Sequence, residues 1–170
     1  TVRHVHVLGQ PTVGEDGTLE YVGSVSDVTA QRQAQRALEA AFRELGDLKD
    51  QLRLAVDSIP ELVWSALPDG YCDFVNQRFR HYTGLTLAQC KGWGWQEAIH
   101  HDDVRALSAT WLNALGSGRS AEVEARLRRA DGEYRWFMFR AVPLLDENGR
   151  VIKWYGTYSD VEDQKRAVVV

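Results

Sequence analysis

Two stretches of the chain decide how the rest of it is interpreted. Residues 156–165 read GTYSDVEDQK, and residues 23–32 read GSVSDVTAQR. In both, Ser-Asp-Val follows a glycine by three positions, and a β-prone run gives way to a helix-prone one. Three further matches lie upstream at a nearly constant offset: Arg3 with Arg135, Pro11 with Pro143, and Gly17 with Gly149. One inserted residue near the turn explains the small change in offset, so the chain contains a partial internal repeat.

The composition is that of an ordinary globular chain. Of its 170 residues, 44% are hydrophobic and 26% are charged, and the formal net charge is −4. These values exclude wholesale disorder, and the acidic balance disfavours nucleic-acid binding, which needs concentrated Lys and Arg. No apolar run is long enough to span a membrane, and the two cysteines, Cys72 and Cys90, make no disulfide framework. Because the chain has no initiator Met and no signal-peptide pattern, we expect a cytoplasmic piece of a longer protein.

Residues 1–28 predict a β-hairpin, and residues 29–59 predict one long helix. The hairpin turns at residues 14–17, and the helix ends before Pro60, because the residue before a proline avoids the helical region. Small or apolar residues recur along the helix at alternating spacings of four and three, which is a heptad pattern. This pattern favours a parallel homodimer whose seam contains Leu38, Leu45, Leu48, Leu52 and Ile59. A single amphipathic helix packed on its own domain is the alternative.

The remainder of the chain predicts a larger α+β domain. All six tryptophans lie in this part, which indicates that the main core starts near residue 60. Apolar patterns and turn residues predict strands at 62–67, 71–75, 122–129, 134–145 and 151–158. Residues 76–117 predict short helices, the clearest at 102–115, and residues 162–167 are again helix-prone.

An ordered set of short motifs covers about residues 58–167. They are FVN at 74–76, YTG at 82–84, GWGW at 92–95, IHHDD at 99–103, RRADG at 128–132, YRW at 134–136 and GTYSDV at 156–161. In this order the motifs resemble the PAS domain. Two positions depart from the family pattern: His101 stands where proline is usual, and Glu162 stands where the last residue of Asp-Ile-Thr is usual. The first copy of the repeat keeps that hydroxyl as Thr29.

The resemblance implies a PAS fold, which is a five-stranded antiparallel sheet with helices over one face. It also implies a sensory or signal-relay module of a sensor histidine kinase, or else of a cyclic-di-nucleotide enzyme or chemoreceptor. The implied layout is the last hairpin of an upstream PAS domain at 1–28, a signalling helix at 29–59, a complete PAS domain at 60–161 and the start of an exit helix at 162–170. Asp27, Thr29 and Asp160 would relay the state of each domain to the helix that follows, and finally to an output domain of the same chain.

The resemblance further locates a possible ligand pocket between the sheet and the helices. Its lining would be Trp64, Phe74, Phe79, Tyr82, Trp95, Ile99, Trp111, Phe137, Phe139 and Trp154. The alternative is that these side chains simply fill the core.

No cofactor is predicted from the resemblance, although an unknown small ligand stays open. Flavin-binding relatives place a reactive cysteine in Asn-Cys-Arg-Phe-Leu-Gln, and the surroundings of Cys90 do not match this motif. Haem-binding relatives use a histidine on the long helix, and residues 104–117 contain none. Flavin photochemistry and haem are therefore both disfavoured.

Four metal-capable side chains follow one another at His100, His101, Asp102 and Asp103. Because neighbouring residues of a helix point in different directions, we predict no metal site there. The run is interpreted as a helix start, with His100 as its cap and the aspartates at the positive end of the helix dipole. No nucleophile or phosphate-binding motif is present, so we expect this part of the parent protein to have no catalytic role. Three functions stay open: a sensory PAS module, a ligand-free dimerisation and relay module, and a small metal-dependent enzyme.

Overall fold

The computed structural model describes residues 2–168, which form two compact units that divide between Leu52 and Arg53. The elements are β1 (Val5–Val13), β2 (Leu19–Asp27), α1 (Thr29–Ser58), β3 (Leu62–Ala66), β4 (Cys72–Val75), α2 (Gln77–Thr83), α3 (Leu87–Cys90), a 3₁₀ helix (Gly94–Ala98), α4 (His101–Ser117), β5 (Ala121–Arg128), β6 (Tyr134–Leu145), β7 (Val151–Asp160) and α5 (Glu162–Val168). The predicted segments 1–28 and 162–170 extend beyond the described residues at position 1 and at positions 169–170.

The first unit begins with the antiparallel hairpin of β1 and β2. Its turn forms because the Asp16 carboxylate accepts hydrogen bonds from both the backbone N–H and the hydroxyl of Thr18. Every residue of both strands is exposed. Within the described residues, the hairpin therefore has no core of its own.

α1 forms because its sequence lacks proline and is rich in good helix formers. None of its residues is buried, and the seam residues from Leu38 to Leu52 are more than half exposed. The helix ends at Ser58, so the predicted seam residue Ile59 lies one residue past its end, next to Pro60. The seam is thus an exposed apolar stripe along the helix.

The second unit contains a five-stranded antiparallel sheet in the order β4-β3-β7-β6-β5. This confirms the predicted α+β fold, and each strand boundary lies within two residues of its prediction. β7 pairs with β3 on one side and with β6 on the other. The last strand of the chain consequently lies in the middle of the sheet.

The core lies between one face of this sheet and the helices. Strand residues such as Trp64, Phe139 and Trp154 alternate toward that face and are buried there against Trp111 of α4. β7 can lie close to the β6 backbone and to the Trp64 ring because residue 156 is glycine. A Cβ at this position would fall 2.0 Å from the Arg140 carbonyl oxygen and 2.3 Å from the Trp64 ring.

Two helices of the second unit, α2 and α4, begin at side-chain caps. The Asn76 side chain accepts the Phe79 N–H at the start of α2, and its amide donates to the Glu61 carbonyl oxygen, which ties α2 to β3. α4 begins at His101, one residue before the predicted start, because the His100 ring accepts the N–H of Asp102. The predicted capping role of His100 is therefore confirmed.

Candidate functional site

The interior of the second unit is a cluster of interlocking aromatic rings. Trp111 meets Trp64 and Trp154 edge-on, with ring centroids 5.3 and 5.1 Å apart. Trp64 also stacks on Phe139 at 5.1 Å, with the two rings nearly parallel. These rings occupy the space between sheet and helices for which a ligand pocket and a filled core were the two alternatives.

A cavity of about 20 Å³ remains within the cluster. It has room for about one water molecule, whereas pockets for drug-sized ligands measure roughly 300–1,000 Å³. Its lining consists of Trp64, Ala66, Gly70, Cys72, Val75, Phe79, Trp95, Trp111, Phe139 and Tyr158.

The structure distributes the ten predicted pocket residues over three environments. Five line the small cavity: Trp64, Phe79, Trp95, Trp111 and Phe139. Three more are buried elsewhere in the core: Ile99, Phe137 and Trp154. The remaining two, Tyr82 and Phe74, are half-buried.

Tyr82 and Phe74 lie away from the cavity for different reasons. Tyr82 packs edge-on against Phe137, at 5.1 Å between ring centroids. Phe74 pairs with Ser65 across the β3–β4 ladder, whereas Trp64 pairs with Val75. Since successive strand residues point to opposite faces, Phe74 lies on the outer face of the sheet.

Neither cysteine has the properties of a reactive thiol. Cys72 and Cys90 are free and buried. Burial raises the pKa of the Cys72 thiol to about 12 and that of the Cys90 thiol to about 11, so both stay protonated at neutral pH. Cys72 lines the cavity and Cys90 does not, and a space of about 20 Å³ is far too small for either group, so the residues present do not fit a flavin or a haem.

Three of the four metal-capable residues at the start of α4 converge. One donor atom each of His100, His101 and Asp102 lies within 4.8 Å of the other two. The argument that such neighbours point apart is wrong here, because His100 precedes the helix and its ring stacks on His101 at 4.4 Å. A cation would face the positive end of α4 and the Arg126 guanidinium, which lies 3.7 Å from Asp102. These surroundings disfavour a metal ion.

A junction of four hydrogen bonds joins β6 and β7 to α5. Arg135 Nε donates to Asp160 Oδ2 at 2.8 Å, and the Glu162 N–H donates to Asp160 Oδ1 at 2.9 Å. The Val161 N–H donates to the Trp136 carbonyl oxygen at 2.9 Å, and the Trp136 N–H donates to Glu162 Oε2 at 2.8 Å. The first turn of α5 is thereby fixed to the start of β6.

The same four hydrogen bonds join the first hairpin to α1. Arg3 Nη1 donates to Asp27 Oδ2 at 3.3 Å, and the Thr29 N–H donates to Asp27 Oδ1 at 3.0 Å. The Val28 N–H donates to the His4 carbonyl oxygen at 2.9 Å, and the His4 N–H donates to Thr29 Oγ1 at 2.8 Å. The internal repeat of the sequence is therefore also a repeat of contacts.

The two junctions differ in one acceptor. The Thr29 hydroxyl of the first junction is replaced by the Glu162 carboxylate in the second. The hydrogen bond from the Trp136 N–H lowers the pKa of the Glu162 carboxyl. A longer, charged side chain thus fills the acceptor role of the hydroxyl.

Trp136 connects α5 to α4 across the outer face of the sheet. Lys165 of α5 holds its ammonium 4.5 Å from the centre of the Trp136 ring and pairs with Glu124 of β5. Arg126 approaches the same ring at 5.1 Å and makes two hydrogen bonds of 2.8 Å to the Asp103 carboxylate. The side-chain hydrogen bond from Arg126 lowers the pKa of Asp103. A continuous set of contacts therefore runs from the first turn of α4 to α5.

Comparison with known proteins agrees with the observed fold of the second unit. A family model described as the PAS fold matches residues 73–158. The chain belongs to the PAS fold family. A light-oxygen-voltage domain, solved in work on a flavin analogue, superposes on this PAS chain with a TM-score of 0.54 and 21% identity, covering 70% of this chain and 91% of that domain. At this identity the likeness shows the shared fold alone.

Two curated relatives are much longer than this PAS chain. The uncharacterized protein y4lL of Sinorhizobium fredii is 31% identical over 155 residues, which cover 91% of this chain and 18% of that protein. The peroxide stress-activated histidine kinase mak1 of Schizosaccharomyces pombe is 39% identical over 117 residues, which cover 68% of this chain and 7% of the kinase. Across residues 2–168, no helix has both the length and the apolar character needed to cross a membrane.

Proposed function

We propose that this PAS chain relays a signal within a larger protein, passing the state of a sheet to the helix that leaves it. The duplicated junction carries this proposal, because two hairpins end in the same four hydrogen bonds and each is followed directly by a helix. A change in the sheet that alters these contacts would change the position of the helix, provided that two discrete arrangements exist. The proposed relay residues are then Asp27 and Thr29 in the first junction and Asp160 in the second. Arg135 and Glu162 are added to this set because they bond within the second junction.

The parent protein that fits best is a histidine kinase. The likeness of this chain to mak1 supports this choice, because mak1 is named as a histidine kinase and the matched residues are a small part of it. The chain itself would carry no catalysis and would act on an output domain of the same polypeptide. The proposed layout is the end of one PAS unit at 1–28, a helical linker at 29–59, a complete PAS domain at 60–161 and an exit helix from 162.

The relay that we propose works without a ligand in the core. The aromatic cluster leaves about 20 Å³, so a stimulus would reach this domain through its neighbours rather than through a bound cofactor. The contacts from Asp103 through Arg126 and Trp136 to Lys165 offer such a mechanical route across the sheet.

Glu162 gives the sharpest test of the relay junction. In Glu162→Ala the Trp136 N–H loses its acceptor, and a half-buried backbone donor left unpaired is unfavourable. We expect the amides of α5 to exchange with solvent roughly tenfold faster, measured by hydrogen–deuterium exchange and mass spectrometry. The matched variant Glu162→Thr carries the residue of the first junction, so it should keep exchange near the wild-type rate.

The proposal fails if Glu162→Ala leaves α5 exchange unchanged. It also fails if exchange rises equally throughout the sheet, because the variant would then report general instability rather than a local junction. The peptide that covers β3 and β4 serves as the internal reference for this distinction.

The linker helix is proposed to dimerise in parallel through its exposed seam. Leu45→Asp places a charge at a central seam position, and a charge buried between two helices is strongly unfavourable. We expect light scattering to report a dimer for the wild type and a monomer for Leu45→Asp. Leu54→Asp is the control, since Leu54 is exposed on the same helix outside the seam; a Leu45→Asp protein that stays dimeric would rule the seam out as the interface.

A further inference from the structure

The two hairpins of the chain share one cross-strand register. In the first, Val7 pairs with Val25, Gly9 with Gly23 and Pro11 with Tyr21. In the second, Phe139 pairs with Tyr158, Ala141 with Gly156 and Pro143 with Trp154. Each of these three pairs of the first hairpin therefore has a counterpart in the second, in the same order and on the same face.

That shared face is buried in one hairpin and bare in the other. In the second hairpin, Phe139 is 2% exposed and Trp154 is fully buried. Their counterparts in the first hairpin, Val7 and Tyr21, are 63% and 73% exposed. A contiguous apolar face of this kind on a two-stranded sheet indicates a missing partner.

Gly23 adds a shape requirement to this face. A Cβ at residue 23 would lie 2.4 Å from the Leu8 carbonyl oxygen, just as a Cβ at residue 156 would meet the Arg140 carbonyl oxygen. At Gly156 the bare backbone is covered by the flat ring of Trp64, which comes from β3. The equivalent surface at Gly23 has nothing over it within the described residues and has the shape to accept such a ring.

The direction of the chain identifies the segment that would cover this face. In the second unit, the strand and helix residues that bury the hairpin, such as Trp64 and Trp111, all precede β6 in sequence. By the repeat, the counterpart segment for the first hairpin would lie on its N-terminal side. The relatives are long enough to supply one, because 155 matched residues cover only 18% of the Sinorhizobium protein.

We propose that the face formed by Val5, Val7, Tyr21, Gly23 and Val25 docks a preceding segment of the same polypeptide, which lays an aromatic ring on Gly23. This segment is a strand-and-helix layer like that of residues 60–128, and it also pairs with the free outer edges of β1 and β2. The inference rests on the proposed relay between two units and names what completes the first of them.

Two adjacent substitutions test the docking face in the full-length protein. Val7→Asp puts a charge on the face that matches buried Phe139, whereas Leu8→Asp puts the same charge on the face that matches Arg140. In full-length protein we expect Val7→Asp to lower the melting temperature of the first unit by on the order of 10 °C, and Leu8→Asp to have little effect. In the 170-residue chain neither variant should matter, because both residues are exposed there.

Two outcomes would overturn this inference. One is an equal effect of Val7→Asp and Leu8→Asp in the full-length protein. The other is that Val7→Asp dissociates a dimer of the 170-residue chain, which would make a second copy the occupant of the face. The Glu162 variants test the junction of the second unit, and the Val7 and Leu8 variants test the face of the first hairpin. The relay proposal and the docking proposal can therefore fail independently of each other.

Discussion

Trp111→Ala is expected to lower the free energy of unfolding by about 3–5 kcal/mol, the usual range for removing a buried indole. Trp111 is 2% exposed, and its ring contacts Trp64, Phe139 and Trp154. Its loss leaves an apolar void that three other rings surround but cannot fill without moving. Urea denaturation followed by circular dichroism measures the change.

Free indole, the ring that Trp111→Ala removes, can be used to test whether this variant contains a void. Free indole should raise the melting temperature of this variant, because a ligand that binds only the folded state stabilises it, and should leave the wild type unchanged. Leu112→Ala is the control, since Leu112 is the next residue of α4 and is exposed. A loss of less than about 1 kcal/mol in Trp111→Ala would contradict a filled aromatic core.

Gly156→Ala is expected to be about as damaging, although it adds one methyl group only. The new Cβ would lie 2.0 Å from the Arg140 carbonyl oxygen and 2.3 Å from the Trp64 ring. The oxygen belongs to the neighbouring strand and cannot move without opening the β6–β7 ladder, so we expect a loss of about 3 kcal/mol, the upper end for overpacking. Urea denaturation again measures it.

Gly116→Ala is the matched control for Gly156→Ala. Gly116 lies in α4, and a Cβ there would meet nothing within 4 Å. Alanine is the better helix former, so this variant should gain roughly 0.5–1 kcal/mol. If both variants behaved alike, the close approach of Trp64 and β6 to Gly156 would be contradicted.

The strands and long helices could be predicted because their signals are local. Alternation of apolar residues, turn residues and Pro60 marked element boundaries to within one or two residues. The internal repeat also anticipated the duplicated junction, because the aspartate and valine of each Ser-Asp-Val and the upstream arginine take part in it.

The interior could be predicted only in part, because burial depends on strand parity and on how rings interlock. Phe74 was placed in the pocket, but the ladder puts it beside Ser65 on the outer face. Tyr158, Cys72 and Val75 line the cavity without having been anticipated. Only coordinates could reveal that the space left between the rings is about 20 Å³.

The contacts on the outer face were missed for a related reason. Arg126 alternates with Glu122 and Glu124, a pattern that is typical of a solvated strand face. It instead pairs with Asp103, which is 23 residues away in sequence. The acidic first turn of α4 was the available signal, but pairing it with one particular arginine requires the register of β5 against α4.

Native mass spectrometry of the purified protein, combined with its absorption spectrum, tests the central claim of a filled, ligand-free core most directly. We expect each copy of this chain to have the mass of the polypeptide alone, 19.2 kDa. Its absorption should contain only the bands of tryptophan and tyrosine. A stoichiometric excess of mass that is released on denaturation, or the visible bands of a flavin or a haem, would contradict the claim.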